Sequence, residues 1–413
     1  MICAVGYFLT RVIFVLSSRA FETPDTPSYR SGQATRPPVS AALLSWLGDT
    51  PYIAVSAIVS TAGFLALGLA LWNPARRGWS YSVLAGLAVV SLLPAVTVYE
   101  HWLVPDSLLM GLSLIGLAIA VHRTQTRWHP WALVAVCLLI TTTKEQGIGV
   151  VVLIALVLVA RRSFRVAAVA MVSSALIFAT VVMPCSNRHG QVLWHGPRTT
   201  ELTMQRFRII TAALFWDDLS PELAQVNDRL AECGMTAAQL VAETFNIASE
   251  DVGFENCAKV WAHVDEISQL DVLVAHLENP THVSSALERG FAPDLHPQAG
   301  WSGYPFEQQW IYDLERWPMG ALALLPLAAL AVCVVRRRGR VLAMAAVTGS
   351  LLAVVAVLVD PTSQDRHTIV FRIMAGALAI IAITAATKRN EPDVVPMPDA
   401  TMGDDHEADL VPV

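Results

Sequence analysis

The chain has 413 residues, of which 54% are hydrophobic and 15% charged, where an ordinary soluble domain carries about 25% charged residues. Apolar runs of about 17 to 22 residues recur, the length that crosses ~30 Å of hydrocarbon, so a soluble single domain is excluded and an all-α polytopic membrane protein is expected. At a net charge of −6, no nucleic-acid partner is expected.

The first predicted span, Ile2–Ser18, is short and carries Arg11, which reads as snorkelling or packing within the bundle. With no small-residue cleavage site after it, the segment reads as retained rather than removed. A hydrophilic loop over residues 19–51 follows. It contains Asp25-Thr26-Pro27-Ser28-Tyr29, then Arg36-Pro37-Pro38 and an amphipathic run ending Trp46-Leu47-Gly48-Asp49. Further spans are predicted at Tyr52–Trp72, Tyr81–Val98, Ser107–Val121, Trp131–Thr143, Ile148–Ala160, Val166–Met183, Trp317–Val335, Val341–Val359 and Thr368–Thr387. Trp131–Thr143 and Ile148–Ala160 also read as one broken helix.

About ten transmembrane helices result, and charge placement supports that count. Alternate connections carry Arg76-Arg77, then Arg123 and Arg127, then Arg161, Arg162 and Arg165, then Arg336, Arg337, Arg338 and Arg340. None of these four connections contains an acidic residue, and the tail opens Lys388-Arg389. Positive charge marks the cytoplasmic side, so both termini are expected in the cytoplasm of a plasma-membrane protein.

Four regions follow from this count. Residues 1–184 form a seven-span module that includes the first outer loop. Residues 185–316 form an extracytoplasmic domain between spans seven and eight, with helical patterns at Thr199–Phe215, Pro221–Cys233, Ala237–Ile247 and Asn256–Leu277 and little strand-like alternation. Residues 317–387 supply three further spans. The acidic, proline-containing tail, 388–413, reads as disordered. Cys3, Cys137 and Cys333 fall in apolar runs and read as packing residues. Cys233 and Cys257 are the pair that would form a disulfide if the large loop faces an oxidising space.

Ionisable residues are costly in a bilayer and gather where function needs them. Here the short outer turns concentrate them at one level. Asp25 and Tyr29 come from the first loop, Glu100, His101 and Asp106 from the second, Lys144 and Glu145 from the third, and Asp365, Arg366 and His367 from the last. A carboxylate such as Asp25 suits a general base towards an acceptor hydroxyl. Lys144 and Arg366 suit a phosphate leaving group, Lys as a point charge and Arg as a fork. Plainer readings stand beside these. Asp25 serves equally as a helix cap, Glu100–His101 as the interfacial end of a span, Lys144–Glu145 as a self-neutralising turn, and Asp365–His367 as a solvated turn. Tyr29, Trp46, Trp102 and Trp317 read as interfacial anchors.

The first loop resembles that of the GT-C superfamily of polyprenyl-phosphate-dependent glycosyltransferases, which includes protein O-mannosyltransferases and lipid A aminoarabinose transferases. In many bacterial members that loop reads Asp, a small residue, two more residues, Tyr, and then an Arg-Pro-Pro-like segment entering the second span. Asp25-Thr26-Pro27-Ser28-Tyr29 and Arg36-Pro37-Pro38 match this pattern. The family's seven-span module, the carboxylate of its second outer turn and the basic residue of its third are matched by residues 1–184, Glu100 and Lys144. Thr26 departs from the second acidic residue of many members, Lys144 stands where arginine is common, and the first span is short, as if the chain began upstream.

The resemblance implies an integral membrane glycosyltransferase that moves a sugar, with inversion, from a polyprenyl-phosphate donor to an envelope glycan, lipid or protein acceptor. Asp25 is then the base and Glu100 a second, acceptor-orienting carboxylate. Lys144 and Arg366 grip the donor phosphate, and Tyr29, Arg36, His101, Asp106 and His367 support them. No cofactor is required. Some members bind a divalent metal, but no residue cluster here demands one and no metal ligand is assigned. Three rivals remain: an O-antigen ligase or polymerase, with Arg198, Arg206 and Arg208 in its large loop, a transporter or flippase, and a non-catalytic envelope scaffold that presents the Cys185–Arg316 domain to a partner.

Overall fold

A computed structural model describes residues 2–16, 22, 26–31, 36–122, 126–185, 220–232, 266–267, 269–279, 281, 284, 309–359 and 364–387. The expectations for Asp25, for the helices at Thr199–Phe215 and Ala237–Ile247, for the Cys233–Cys257 disulfide and for the tail concern residues outside that set. So do the side chains of Asp365, Arg366 and His367.

The described residues are all helical, with no strand among them. In chain order the helices are α1 Ile2–Leu16, α2 Thr26–Arg30, α3 Pro38–Leu47, α4 Asp49–Leu71, α5 Arg77–Ser91, α6 Pro94–His101, α7 Asp106–Val121, α8 His129–Thr143, α9 Gly147–Ala160 and α10 Phe164–Ile177. A π-helical turn, Phe178–Val182, continues α10 to Cys185. Then come α11 Pro221–Glu232, α12 Gln269–Glu278, α13 Gln309–Arg336, α14 Arg340–Val359 and α15 Gln364–Thr387.

Among the described residues, three helices are long and apolar enough to cross a membrane: α4, the continuous Phe164–Cys185 segment, and Thr368–Thr387 within α15. The shorter apolar helices include α7, α8 and α9. At a rise of about 1.5 Å per residue, the 14 residues of α9 reach only ~21 Å, short of ~30 Å of hydrocarbon.

Local chemistry sets the breaks. The apolar run at Tyr81–Val98 is two helices, because Pro94 has no N–H to continue α5 and forces Leu93 into an extended conformation, with ψ 138°. Leu93 then starts α6 by accepting from the Val96 and Thr97 amides. Lys144, extended at φ −157°, separates α8 from α9, so the pair is two helices and not one. Pro38 opens α3 at the position where a missing N–H costs nothing. This short helix buries Ser40, Ala41 and Leu44 and leaves Trp46 87% exposed.

Helices α4 and α7 meet backbone to backbone. A Cβ on Gly63 would lie 2.6 Å from the Gly111 carbonyl oxygen, and one on Gly111 would lie 2.6 Å from the Ser60 nitrogen. Only two glycines let the backbones approach this closely. Around this contact the core gathers apolar side chains from α4, α5, α7, α8 and α9, and α13, α14 and α15 pack together and onto α9, α7 and α6.

Candidate functional site

The first loop reaches back across two later turns. The Thr26 hydroxyl lies 3.4 Å from the Leu103 carbonyl, and the Ser40 hydroxyl donates to the Thr143 carbonyl at 2.8 Å. Tyr29, Ala41 and Leu44 bury their side chains against Tyr52, Ile53, Ala57 and Leu103. The Arg36 guanidinium lies over the Tyr29 ring, 4.6 Å from its centre, a cation–π contact. Both side chains are buried. At the rim, Arg30 grips Asp49 with two hydrogen bonds of 3.1 and 2.8 Å and reaches Glu22 at 2.5 Å. The bonds to Glu22 and then Asp49 raise the Arg30 pKa above its ordinary value. Gly48, with φ at +77°, makes the corner between α3 and α4, a conformation that favours glycine.

Beneath this strap lie two buried ion pairs. The Arg11 guanidinium donates to Glu100 Oε1 at 2.5 Å, to Thr61 Oγ1 at 2.6 Å, to Ser60 Oγ at 3.4 Å and to the Ser91 carbonyl at 3.1 Å. It also sits 5.3 Å from the centre of the Phe64 ring. Tyr7 donates to Ser91 Oγ at 2.6 Å and so closes the network. One side chain thus ties α1, α4, α5 and α6 together. In the second pair, Lys144 donates to Asp106 Oδ1 at 2.5 Å, with both groups buried. Asp106 stands in the first turn of α7, where a carboxylate also meets the positive end of the helix dipole.

The structure thus brings together the first loop and the turns bearing Glu100, His101, Asp106 and Lys144. Glu100 is held by Arg11, and Lys144 by Asp106. Arg366 and His367 lie in the first turn of α15, a helix that packs against α6 and α7. Sequence reasoning missed Arg11 as the partner of Glu100. The signal was present, since a guanidinium inside an apolar helix requires a counter-charge.

Several buried polar atoms near the pairs make no hydrogen bond to a described residue: both ring nitrogens of His101, Ser56 Oγ and Ser107 Oγ. No group of three or more potential metal ligands occurs among the described residues. No protein-family model, no curated protein and no solved structure matches the chain.

Proposed function

We propose that the chain is an integral membrane glycosyltransferase of the GT-C type, with about ten spans and its active site at the outer end of the bundle. It transfers a sugar from a polyprenyl-phosphate donor to an envelope acceptor. One observation carries the reading: a strap that follows Asp25 in sequence is bonded to the Leu103 and Thr143 carbonyls, so three turns distant in sequence converge. The ten-span count rests on the apolar helices and on connections that carry arginine without acid.

In this reading Asp25 is the base that takes the proton of the acceptor hydroxyl as the sugar leaves its phosphate. Glu100 and Lys144 shape the site, because Arg11 and Asp106 already neutralise them. Gripping the departing phosphate then falls to Arg366.

The test is transfer of radiolabelled sugar from polyprenyl-phosphate donors by membranes carrying the protein, with Asp25→Asn as control. The expected result is label in envelope material with the wild type and none with the variant. Transfer that survives the substitution removes Asp25 from the centre. A folded protein that transfers nothing from any donor overturns the reading in favour of a transporter, which the buried Arg11–Glu100 pair would also suit.

A further inference from the structure

The turns that carry arginine without acid come together at one end of the bundle. Arg161 Nη1 donates to the Ala120 carbonyl and, at 3.0 Å, to the His122 carbonyl, which joins the end of α9 to the end of α7. The His122 ring stacks on His129 at the start of α8, with ring centres 5.6 Å apart. Trp72, just past α4, meets Tyr81 of α5 edge to face at 5.2 Å. The Trp79 indole donates to Thr384 Oγ1 of α15 at 3.1 Å. Between α13 and α14, a Cβ on Gly339 would lie 3.0 Å from the Ala382 carbonyl oxygen of α15. Helices α4 and α7 run in the same direction, since Val59 and Ser60 meet Gly111 while Gly63 reaches Leu114. The last turns of α4, α7, α9, α13 and α15 therefore share one end.

Exposed arginines line this end, Arg77, Arg127, Arg162, Arg165, Arg337 and Arg340 among them, and the described residues of these turns include no acid. Two of the arginines are held against the preference of the backbone. Arg162 and Arg337, with φ at 61° and 55°, are the only non-glycine residues of positive φ among the described residues. A side chain strains the chain there, and glycine is the usual occupant. The helix dipole does not account for them. It asks only for a cation near the last turn, which Arg161 already supplies to α9 and Arg336 to α13. Strained residues persist where function needs the side chain, and here two separate helices end on a guanidinium presented in the same way.

The neighbours of these arginines say what they meet. Trp79, Tyr81, Trp128, Trp131 and Phe164 are exposed near the starts of α5, α8 and α10. Beyond Phe164 the wall of α10 stays apolar and exposed through Val169, Val172 and Leu176. Aromatic rings set between a basic rim and an apolar wall mark the headgroup level of a bilayer. A water-soluble acidic partner would cover the arginines and leave those rings in water. Guanidinium forks pair with phosphate oxygens, and basic clusters at this level of a membrane recognise anionic lipid. We propose that the arginine end of the bundle is a docking surface for anionic phospholipid headgroups, with Arg162 and Arg337 as its two anchoring contacts. The surface depends on the membrane reading and is independent of sugar transfer.

The experiment titrates the full chain in detergent with phosphatidylglycerol and, separately, with phosphatidylcholine, and reads bound lipid by native mass spectrometry. The wild type is expected to bind phosphatidylglycerol about tenfold or more tightly than phosphatidylcholine. Arg162→Gly and Arg337→Gly are each expected to lose about fivefold for phosphatidylglycerol, the worth of one arginine at an anionic surface, with phosphatidylcholine unaffected. Arg162→Lys keeps the charge and is expected to keep most of the affinity. Arg229→Gln, on α11, is expected to change nothing. Glycine relieves the strain, so the lost affinity is expected together with an unfolding temperature no lower than that of the wild type. A glycine variant that unfolds earlier in lipid-free detergent shows the guanidinium holding the fold itself and overturns the assignment of that contact. Equal affinity for the two lipids, or a preference that survives Arg162→Gly/Arg337→Gly, overturns the docking surface. A preference that appears only when the acidic residues of 391–413 are replaced by their amides shows the chain's own tail covering the arginines, and overturns it too. A chain that transfers sugar without any lipid preference loses this surface and keeps the transferase reading. A chain with the preference that transfers nothing loses the transferase reading and keeps the surface.

Discussion

Arg11 and Glu100, 89 residues apart, meet at 2.5 Å with both side chains at 0% exposure. Removing one partner leaves an uncompensated buried charge, which costs about 3–5 kcal/mol. Arg11→Ala and Glu100→Ala are therefore expected to lower the unfolding temperature sharply, as read by the loss of monodisperse protein on heating. The double replacement Arg11→Met/Glu100→Leu removes both charges and keeps the volume, and it is expected to recover most of the loss. A double variant as unstable as the singles would show that the pair does more than neutralise itself.

The Asp106–Lys144 pair distinguishes a structural salt bridge from a phosphate grip. Asp106→Lys and Lys144→Asp each strand two like charges, and both are expected to be severely destabilising. Asp106→Lys/Lys144→Asp restores the attraction but puts a cation at the start of α7, which costs about 0.3–1 kcal/mol. Recovery of thermal stability to within that margin is expected. If the swapped protein folds yet transfers no sugar, Lys144 meets the donor directly.

Gly63 and Gly86 make a matched pair. A Cβ on Gly63 would stand 2.6 Å from the Gly111 carbonyl oxygen, whereas one on Gly86 would meet nothing within 4 Å. Gly63→Ala is expected to cost about 1–3 kcal/mol through a forced backbone shift. Gly86→Ala is expected to gain about 0.5–1 kcal/mol, because alanine loses less entropy in a helix. Thermal unfolding of the two variants side by side reads both signs.

Arg162 has φ at +61° and Arg337 has φ at +55°, a left-handed conformation that strains residues carrying a Cβ. Both follow helix ends; the Arg162 amide donates to the Val159 carbonyl at 2.9 Å and the Ser163 amide to the Leu158 carbonyl at 2.8 Å, the pattern in which glycine is usual. Arg162→Gly is expected to stabilise the fold by about 0.5 kcal/mol. An unfolding temperature below that of the wild type would show that the guanidinium itself is needed.

Much of the helix plan was legible in the sequence. Hydropathy marked the apolar segments, and the amphipathic run ending at Trp46 and Leu47 is α3. Pro94 carried the signal for the break between α5 and α6, but the long apolar run around it masked that signal. On the membrane reading the first loop and the Leu103 and Thr143 turns lie on one side, an expectation that fits their meeting in the structure. Partner choice did not follow, because it depends on how each helix is rotated about its axis. Lys144 has Glu145 beside it in sequence, yet it donates to Asp106, 38 residues away. Unpartnered atoms such as those of His101 leave no trace in a one-dimensional pattern, since they become visible only when all neighbours are in place.

The Arg11 network also has a consequence for how the chain is made. On the membrane reading, Arg11 enters the bilayer with the first helix, while the ribosome has yet to synthesise Thr61, Ser91 and Glu100. Until then the guanidinium carries an insertion penalty of about 2.5–3.5 kcal/mol, which the apolar residues of α1 have to offset. Each partner that emerges lowers that penalty, so α1 gains its full hold on the bundle only once α6 has been made.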